Sequence, residues 1–429
     1  MSSSVESNSI LQSVLRRVAE TEEYKNLLAA IRRGAPVISV SGLIGGPARA
    51  LVLALLQRDA RRSFAIVAEA NQDLEAWERD IRFWYCAVHG VSDCAETVLT
   101  FPASESDPYA GSSPHAETLE QRALTMWRLA NGAHDFALLT ARSLARRTTS
   151  PDGLKRMGAY LRRDEEFSPE ELVERLVASG YVREDPVAAV GEFSIRGGIL
   201  DVWSPGRNSP LRIEFFGDTV DSIREFDPET QLSTAQLKEV EIAPMREFAV
   251  TGDDLRLWSE FARDRWRDER YDRALRDRTV FADDGETFPG WEWLVPLVAP
   301  TDSSAFDYLR NSVLVVDEPG GVDSYLSNVY ATLAENYAAT EAGDDLALRP
   351  DELYLKPEEL HSRIEAMTRI ELRTLGRSAA SVDQQIRLDA ELIVQAPEVW
   401  PEIEHADRTG DGARIRKHRI AGHGDEVTA

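Results

Sequence analysis

Apolar runs of strand length alternate with helical spacing through the first third of the chain. Val37 to Ser41, Phe64 to Ala68, Val98 to Phe101 and Phe136 to Thr140 each read as a buried strand. Ala48 to Arg58 and Gln72 to Phe83 carry helical spacing between them. Ser113-Pro114 predicts a further helix, with a capping serine ahead of a proline at the first helical position. Ahead of all these, Ile10, Leu11, Val14, Leu15 and Val18 fit one helical stripe. Such alternation predicts a parallel sheet with helices on both faces. Val313 to Asp317 resumes the pattern much later, so the sheet is expected to be discontinuous, interrupted by a β-rich insert around residues 156 to 243.

From Gly191 to Gln231 the period drops to two: GEFSIRGGILDVWSPGRNSPLRIEFFGDTVDSIREFDPETQ. Phe193 and Ile195 alternate with Ser194 and Arg196, and Gly197-Gly198 permits a bend before the strand Ile199 to Trp203. Leu211, Ile213 and Phe215 share one face of the next strand; Arg212, Glu214 and Phe216 share the other. Gly217-Asp218 is a two-residue hairpin turn, and Val220 to Phe226 returns. These runs predict a compact antiparallel sheet with one dry and one wet face. With Phe215 inward, Phe216 stands outward beside Arg212 and Glu214. An exposed aromatic among arginines has the composition of an interface hot spot, although single exposed apolar residues are also ordinary.

Composition narrows the function. The 429 residues carry a formal charge of -25, too acidic for broad contact with duplex DNA, which needs clustered Lys and Arg. Two cysteines exclude a disulfide framework and fit a reducing cytoplasm. No apolar run reaches membrane-spanning length. Residues 253 to 278 interleave eight arginines with eight acids, and Trp258, Phe261 and Trp266 supply one apolar stripe. This reads as a solvated helix with ion pairs of little individual worth. The basic stretch Arg142, Arg146, Arg147, Lys155, Arg156, Arg162 and Arg163 faces a single acid, Asp152. Its chemistry suits a nucleic-acid backbone, an acidic partner, or other acidic domains of the same protein.

Candidate catalytic chemistry is incomplete. Gly42, Gly45 and Gly46 sit where a phosphate loop would follow the Val37 to Ser41 strand. A working loop needs Gly-Lys-Ser/Thr after four residues; here Pro47, Ala48 and Arg49 stand instead, and Pro47 removes a backbone donor. Val313 to Glu318 resembles a magnesium-holding strand end, but no loop lysine accompanies it. Cys86, His89 and Cys94 have no second pair for zinc. No catalytic residue, metal site or cofactor is expected.

The segment RGGILDVW…LRIEFFGDTVDSIREFDPETQ resembles the interaction domain shared by UvrB and the bacterial transcription-repair-coupling factor (Mfd) family. Two further blocks, Phe101 to Leu129 and Phe288 to Val298, are similar to the coupling factor specifically, and the likeness runs over about residues 10 to 400. The resemblance implies an N-terminal UvrB-like module that recruits the UvrA damage-recognition subunit. It carries the family's partner-binding residues onto Arg196, Arg212 and Phe216, with Glu214 at a matching acidic position. It also implies a degenerate phosphate loop; UvrB itself, an active ATPase, is the alternative reading. Full-length members are ATP-dependent DNA translocases with a polymerase-binding domain and a motor. Those parts are missing here, so RNA polymerase and DNA are expected as partners only through absent domains, and the chain reads as truncated, frameshifted or a fragment.

The expected fold is therefore α/β: a degenerate RecA/helicase-like parallel-sheet domain interrupted by an antiparallel UvrB-type interaction domain, plus a small C-terminal α/β domain. The expected divisions are 1–155 and 244–349 for the parallel-sheet domain, 156–243 for the interaction domain, 350–403 for the start of the small domain, and 404–429 for a tail. That tail holds three of the seven histidines, lacks hydrophobic periodicity and reads as disordered. Arg212→Ala is expected to cost about 2 kcal/mol of partner binding with little loss of fold, its side chain being exposed.

Overall fold

The computed structural model describes residues 12–374 apart from 44, 133 and 300, together with the backbone of 384–387. A helix over 12–20 buries Val14, Leu15 and Val18; Ile10 and Leu11 of the expected stripe fall outside the described residues, as does the expected tail. Strands β1 (Val37–Ser41), β2 (Phe64–Ala68), β3 (Val98–Phe101) and β4 (Phe136–Thr140) have the bounds their apolar runs predict. The helices Gly46–Ala60 and Asn71–His89 overrun their expected ends. The next helix begins at Ala116, not at Ser113-Pro114. The Ser113 hydroxyl is engaged elsewhere: it accepts the N–H of Gly290 at 3.1 Å, pinning this loop to the later aromatic block.

After β4 and the short β5 (Arg147–Thr148), β6 (Ala159–Arg162) opens the insert. Its sheet comprises β7 (Val182–Arg183), β8 (Glu192–Arg196), β9 (Ile199–Val202), β10 (Leu211–Phe216), β11 (Thr219–Phe226) and β12 (Ser233–Leu237). The order is β12-β11-β10-β9-β8-β7. All its pairs are antiparallel except β7 with β8, a departure from the expected purely antiparallel sheet. β13 (Glu239–Ile242) then returns antiparallel to β6, so the insert leaves where it entered.

The rest of the chain completes the first sheet. β14 (Ser303–Ser304) pairs with β5, and β15 (Val313–Asp317), β16 (Arg369–Arg373) and β17 (Gln384–Arg387) give the order β17-β1-β16-β15-β2-β4-β3, parallel throughout. Alternate residues of β2 enter different cores: Phe64, Ile66 and Ala68 one, Ala65 and Val67 the other, as burial on both faces requires. Within the span expected to begin a small separate domain, β16 lies inside this sheet between β1 and β15. The charged stretch is two helices, Gly252–Arg265 and Asp272–Asp283, rather than one. Trp258 and Trp266 are buried, but Phe261 is 43% exposed and off their stripe.

One buried ion pair ties the two halves of the parallel-sheet region across the insert. Arg122, on the helix Ala116–Ala130, donates from Nε and Nη2 to both carboxylate oxygens of Glu247, the second at 3.0 Å. It also donates to the Pro102 carbonyl at 2.6 Å and the Ser143 hydroxyl at 3.1 Å, over the ring of Phe101. Burial pushes the Glu247 carboxyl up, but Arg122 and Arg146 outweigh it, and the net direction is down. The stability this carboxylate supplies is therefore full above the ordinary range near pH ~4 and lost as pH falls through its lower folded value. Glu247→Gln should lower stability at neutral pH by about 3 kcal/mol, since it leaves Arg122 buried without a counter-charge. Urea unfolding at pH 7 and at about pH 3 checks this: the loss should shrink at the acid pH.

Candidate functional site

The outer face of the interaction sheet gathers all four residues expected to meet a partner. Cross-strand register sets Ser194, Asp201, Arg212 and Arg224 in one row, and Arg196, Ile199, Glu214 and Ser222 in the next. Leu200, Val202, Leu211 and Ile213 point the other way into the core with Phe193 and Ile223. A register shift between Glu214 and Phe215 ends the regular ladder. Phe215 still packs partly against the core, and Phe216 is left 85% exposed.

The four residues are not equivalent. The Arg196 side chain is 63% exposed and meets the exposed Asp185 at 3.2 Å, a pair of little net worth. Glu214 bonds Arg224 and accepts the Ser222 hydroxyl at 2.9 Å. Arg212 corrects the expected exposure: its side chain is only 21% exposed. It grips Asp201 bidentately at 2.7 and 2.8 Å, donates to Gln231 Oε1 at 3.1 Å, and stacks 4.6 Å over the wholly buried ring of Phe226. The Asp201 carboxylate is 6% exposed. Arg212→Ala would strand it, so the expectation of little loss of fold does not hold.

The turn that receives Arg212 explains the DPETQ sequence. Asp227 accepts the N–H groups of Glu229 and Thr230 at 2.9 and 2.8 Å, which with the Thr230 side chain hold its carboxyl below the usual range. Gln231 adopts a left-handed φ of 61° and donates from Nε2 to the Pro228 carbonyl at 2.9 Å. Sequence reasoning missed Asp201, Gln231 and Phe226. The signal was the opposite charge of Asp201 and Arg212 on outer positions of neighbouring strands, readable only once the register is fixed.

The glycine-rich turn expected to be a degenerate phosphate loop is filled from within. Gly42 has a φ of 94°, Gly45 caps the helix Gly46–Ala60 without a side chain, and Pro47 stands in its first turn. Arg49, passed over in the sequence except as a misfit, is buried beneath the loop. It donates to the Leu43 carbonyl at 2.8 Å, to Asp317, to Glu318 at 2.7 Å and to the Thr374 hydroxyl at 3.1 Å. Trp77 Nε1 donates to the other Asp317 oxygen at 2.8 Å. Both acids at the end of β15 are thus engaged where a metal ligand was considered. Burial keeps the Asp317 carboxyl above its ordinary value despite Arg49, whereas Thr374 and Arg49 bring that of the more exposed Glu318 down.

The basic stretch divides: Arg142, Arg146 and Arg147 turn inward, whereas Lys155, Arg156, Arg162 and Arg163 are exposed. Arg142 donates to the Ser106 carbonyl at 3.2 Å and the Tyr354 hydroxyl at 3.3 Å. Arg146 stacks 4.6 Å over Trp293, and burial pulls its pKa down. Arg147 bonds the Asp351 carbonyl and Glu359, both at 2.9 Å. Arg162 pairs with Glu239 at 2.7 Å. Lys155 and Arg156 are exposed, the former 3.9 Å from Asp152. Cys94 is buried, and among the described residues no group of three or more His, Cys, Asp or Glu is placed to hold a metal. No helix among them is long and apolar enough to cross a membrane.

Comparison with known proteins agrees with this layout. A family model described as the UvrB interaction domain matches residues 160–248, nearly the span from β6 to just beyond Glu247. The transcription-repair-coupling factor of Myxococcus xanthus is 33% identical over 314 residues, covering 71% of this chain and 26% of that protein. Those of Haemophilus influenzae and Bacillus subtilis are 30% and 28% identical, over 52% and 55% of this chain. The chain spans about a quarter or less of the length of these relatives. It contains a UvrB interaction domain and is a homologue of the transcription-repair-coupling factors.

The filled loop gives a direct expectation. Magnesium-ATP should leave the melting temperature unchanged, whereas Arg49→Ala should destabilise the chain by about 3 kcal/mol by leaving the largely buried Asp317 without its cation. Thermal-shift measurement with and without nucleotide checks both.

Proposed function

We propose that this homologue of the transcription-repair-coupling factors is a recruitment module whose interaction sheet binds a UvrA-type excision-repair subunit. The observation that carries this reading is Phe216. It is an aromatic left 85% exposed at the end of a sheet whose other face packs on a hydrophobic core. Large exposed aromatics beside arginine are the usual anchors of protein interfaces. The matched domain supplies the class of partner. Through it, the module would bring nucleotide excision repair to stalled transcription.

The parallel-sheet region serves as scaffold, a degenerate relative of RecA/helicase-type NTPase domains. Arg49 supports a non-catalytic role, because its bonds to Asp317 and Glu318 stand where a magnesium–nucleotide would need those acids. Contacts with RNA polymerase and DNA are assigned to parts of the longer relatives that this chain does not match.

Phe216→Ala should weaken binding to purified UvrA by about 2 kcal/mol, near thirtyfold, without altering circular dichroism or melting, because the ring makes little contribution to the core. Isothermal calorimetry of parent and variant tests the reading. Equal affinities would remove Phe216 as the anchor, and no binding by the folded parent would end the recruitment proposal.

A further inference from the structure

We propose that Cys86 and Cys94 are a reversible modification site: by exchange with a low-molecular-weight disulfide they form an intramolecular disulfide that staples the helix Asn71–His89 to the loop entering β3. This stands apart from the recruitment reading and uses none of its residues.

The chain's two cysteines are brought to one turn of that helix. The helix ends at Gly90, whose left-handed φ of 69° turns the chain back. The Gly90 and Val91 N–H groups both donate to the Cys86 carbonyl, at 2.9 and 3.2 Å. The returning loop places Cys94 Sγ 3.8 Å from the Arg82 carbonyl, four residues ahead of Cys86. Side chains on a helix point toward its N-terminus, so Cys86 covers the turn that begins at Arg82. The two thiols accordingly lie within hydrogen-bond reach of each other. Local bonds fix the backbone at Cys94: its N–H donates to the Asp93 carboxylate at 2.7 Å, and its carbonyl accepts the Thr97 and Val98 N–H groups at 3.1 and 2.8 Å. Two thiols in contact on a fixed backbone meet the proximity a disulfide requires.

His89, one turn beyond Cys86, does not join them as a metal ligand. Its Nε2 is hydrogen-bonded with Gln57 Oε1 at 2.8 Å, and its ring stacks on Tyr85. What remains open to the pair is thiol chemistry, and the two sulfurs differ in access. Cys86 is half-buried and Cys94 is buried. Burial, and then the Cys86 thiol beside it, push the Cys94 thiol up to about 12, which makes it a poor first nucleophile. Cys86 therefore enters first. Its thiolate attacks one sulfur of the small disulfide, whose S–S bond breaks and releases one small thiol. Cys94 then attacks the Cys86 sulfur of the mixed disulfide and releases the second small thiol. The two protein protons leave on the two released thiols, and the protein pair is oxidised as the small disulfide is reduced. A disulfide of this kind suits a reducing compartment, where such bonds are transient and redox-sensing.

The stapled loop also touches the root of the insert. Arg128 donates to the Ala95 carbonyl at 3.3 Å and from Nε to Glu241 on β13 at 3.0 Å. Oxidation thus stiffens the loop on which one side of the stem rests.

Equilibration of the full chain in glutathione and glutathione disulfide, with acid quench and mass spectrometry, tests this. The effective concentration of the pair should be at least about tenfold higher in the folded chain than in urea, because a disulfide that fits the fold is favoured by it. Folded Cys94→Ser should stop at one glutathione on Cys86, and folded Cys86→Ser should keep Cys94 as a free thiol. Hydrogen exchange of the parent should slow in peptides spanning residues 90 to 98 on oxidation and recover with dithiothreitol. An effective concentration no higher in the folded parent than in urea overturns the site, and that comparison needs no variant. Glutathione on Cys94 in folded Cys86→Ser overturns the order of attack, and unchanged exchange in the oxidised parent overturns the stapling.

Discussion

The buried bond between Arg122 and Glu247 is the constraint on which the rest of this architecture depends. A chain that leaves a parallel-sheet region, builds a second sheet, and returns must fix the point of return. Here the returning residue is a carboxylate only 4% exposed, and its partner is an arginine with no exposure at all. Such a pair contributes little net stability when intact, yet it is expensive to break, so it specifies one docking arrangement rather than many. The antiparallel pairing of β6 with β13 sets the insert's two ends side by side just ahead of it. The interaction sheet is therefore carried on a rigid stem.

The same economy of charge recurs elsewhere. Arg49 binds the two acids at the end of β15, and Arg212 binds Asp201 beneath the outer face of the interaction sheet. In each case the guanidinium's planar fork serves a buried carboxylate, a geometry lysine does not match. In a chain of net charge -25, much of the arginine is spent on internal acids, which leaves few cations for a broad anionic surface. Outward on the interaction sheet stand Phe216, Ile199 and Arg196, with Val182 and Arg183 exposed at the far edge. That is the composition of a protein-docking patch rather than of a nucleic-acid groove.

Most of the large sheet was legible, because buried parallel strands are written as continuous apolar runs; β1 to β4 and β15 have the bounds their sequences predict. β16 was not. Its RIELR sequence alternates charge with apolar residues and reads as a surface strand, yet it lies inside the sheet. Glu371 is tolerated there because Arg369 and Arg373 flank it at 3.2 and 2.9 Å. The outer face of the interaction sheet was legible in its alternation, but the burial of Arg212 was not. Its partner lies across a turn whose geometry sets the register, and no local pattern encodes that pairing.

The most direct measurement is hydrogen exchange of this chain with and without purified UvrA, read peptide by peptide. The account predicts new protection confined to the strand ends and turns around Arg196 to Ile199 and Glu214 to Thr219, with the helix Gly46–Ala60 unchanged. Protection centred instead on residues 142–156, or none at saturating UvrA, would contradict the claim that this sheet is the docking face.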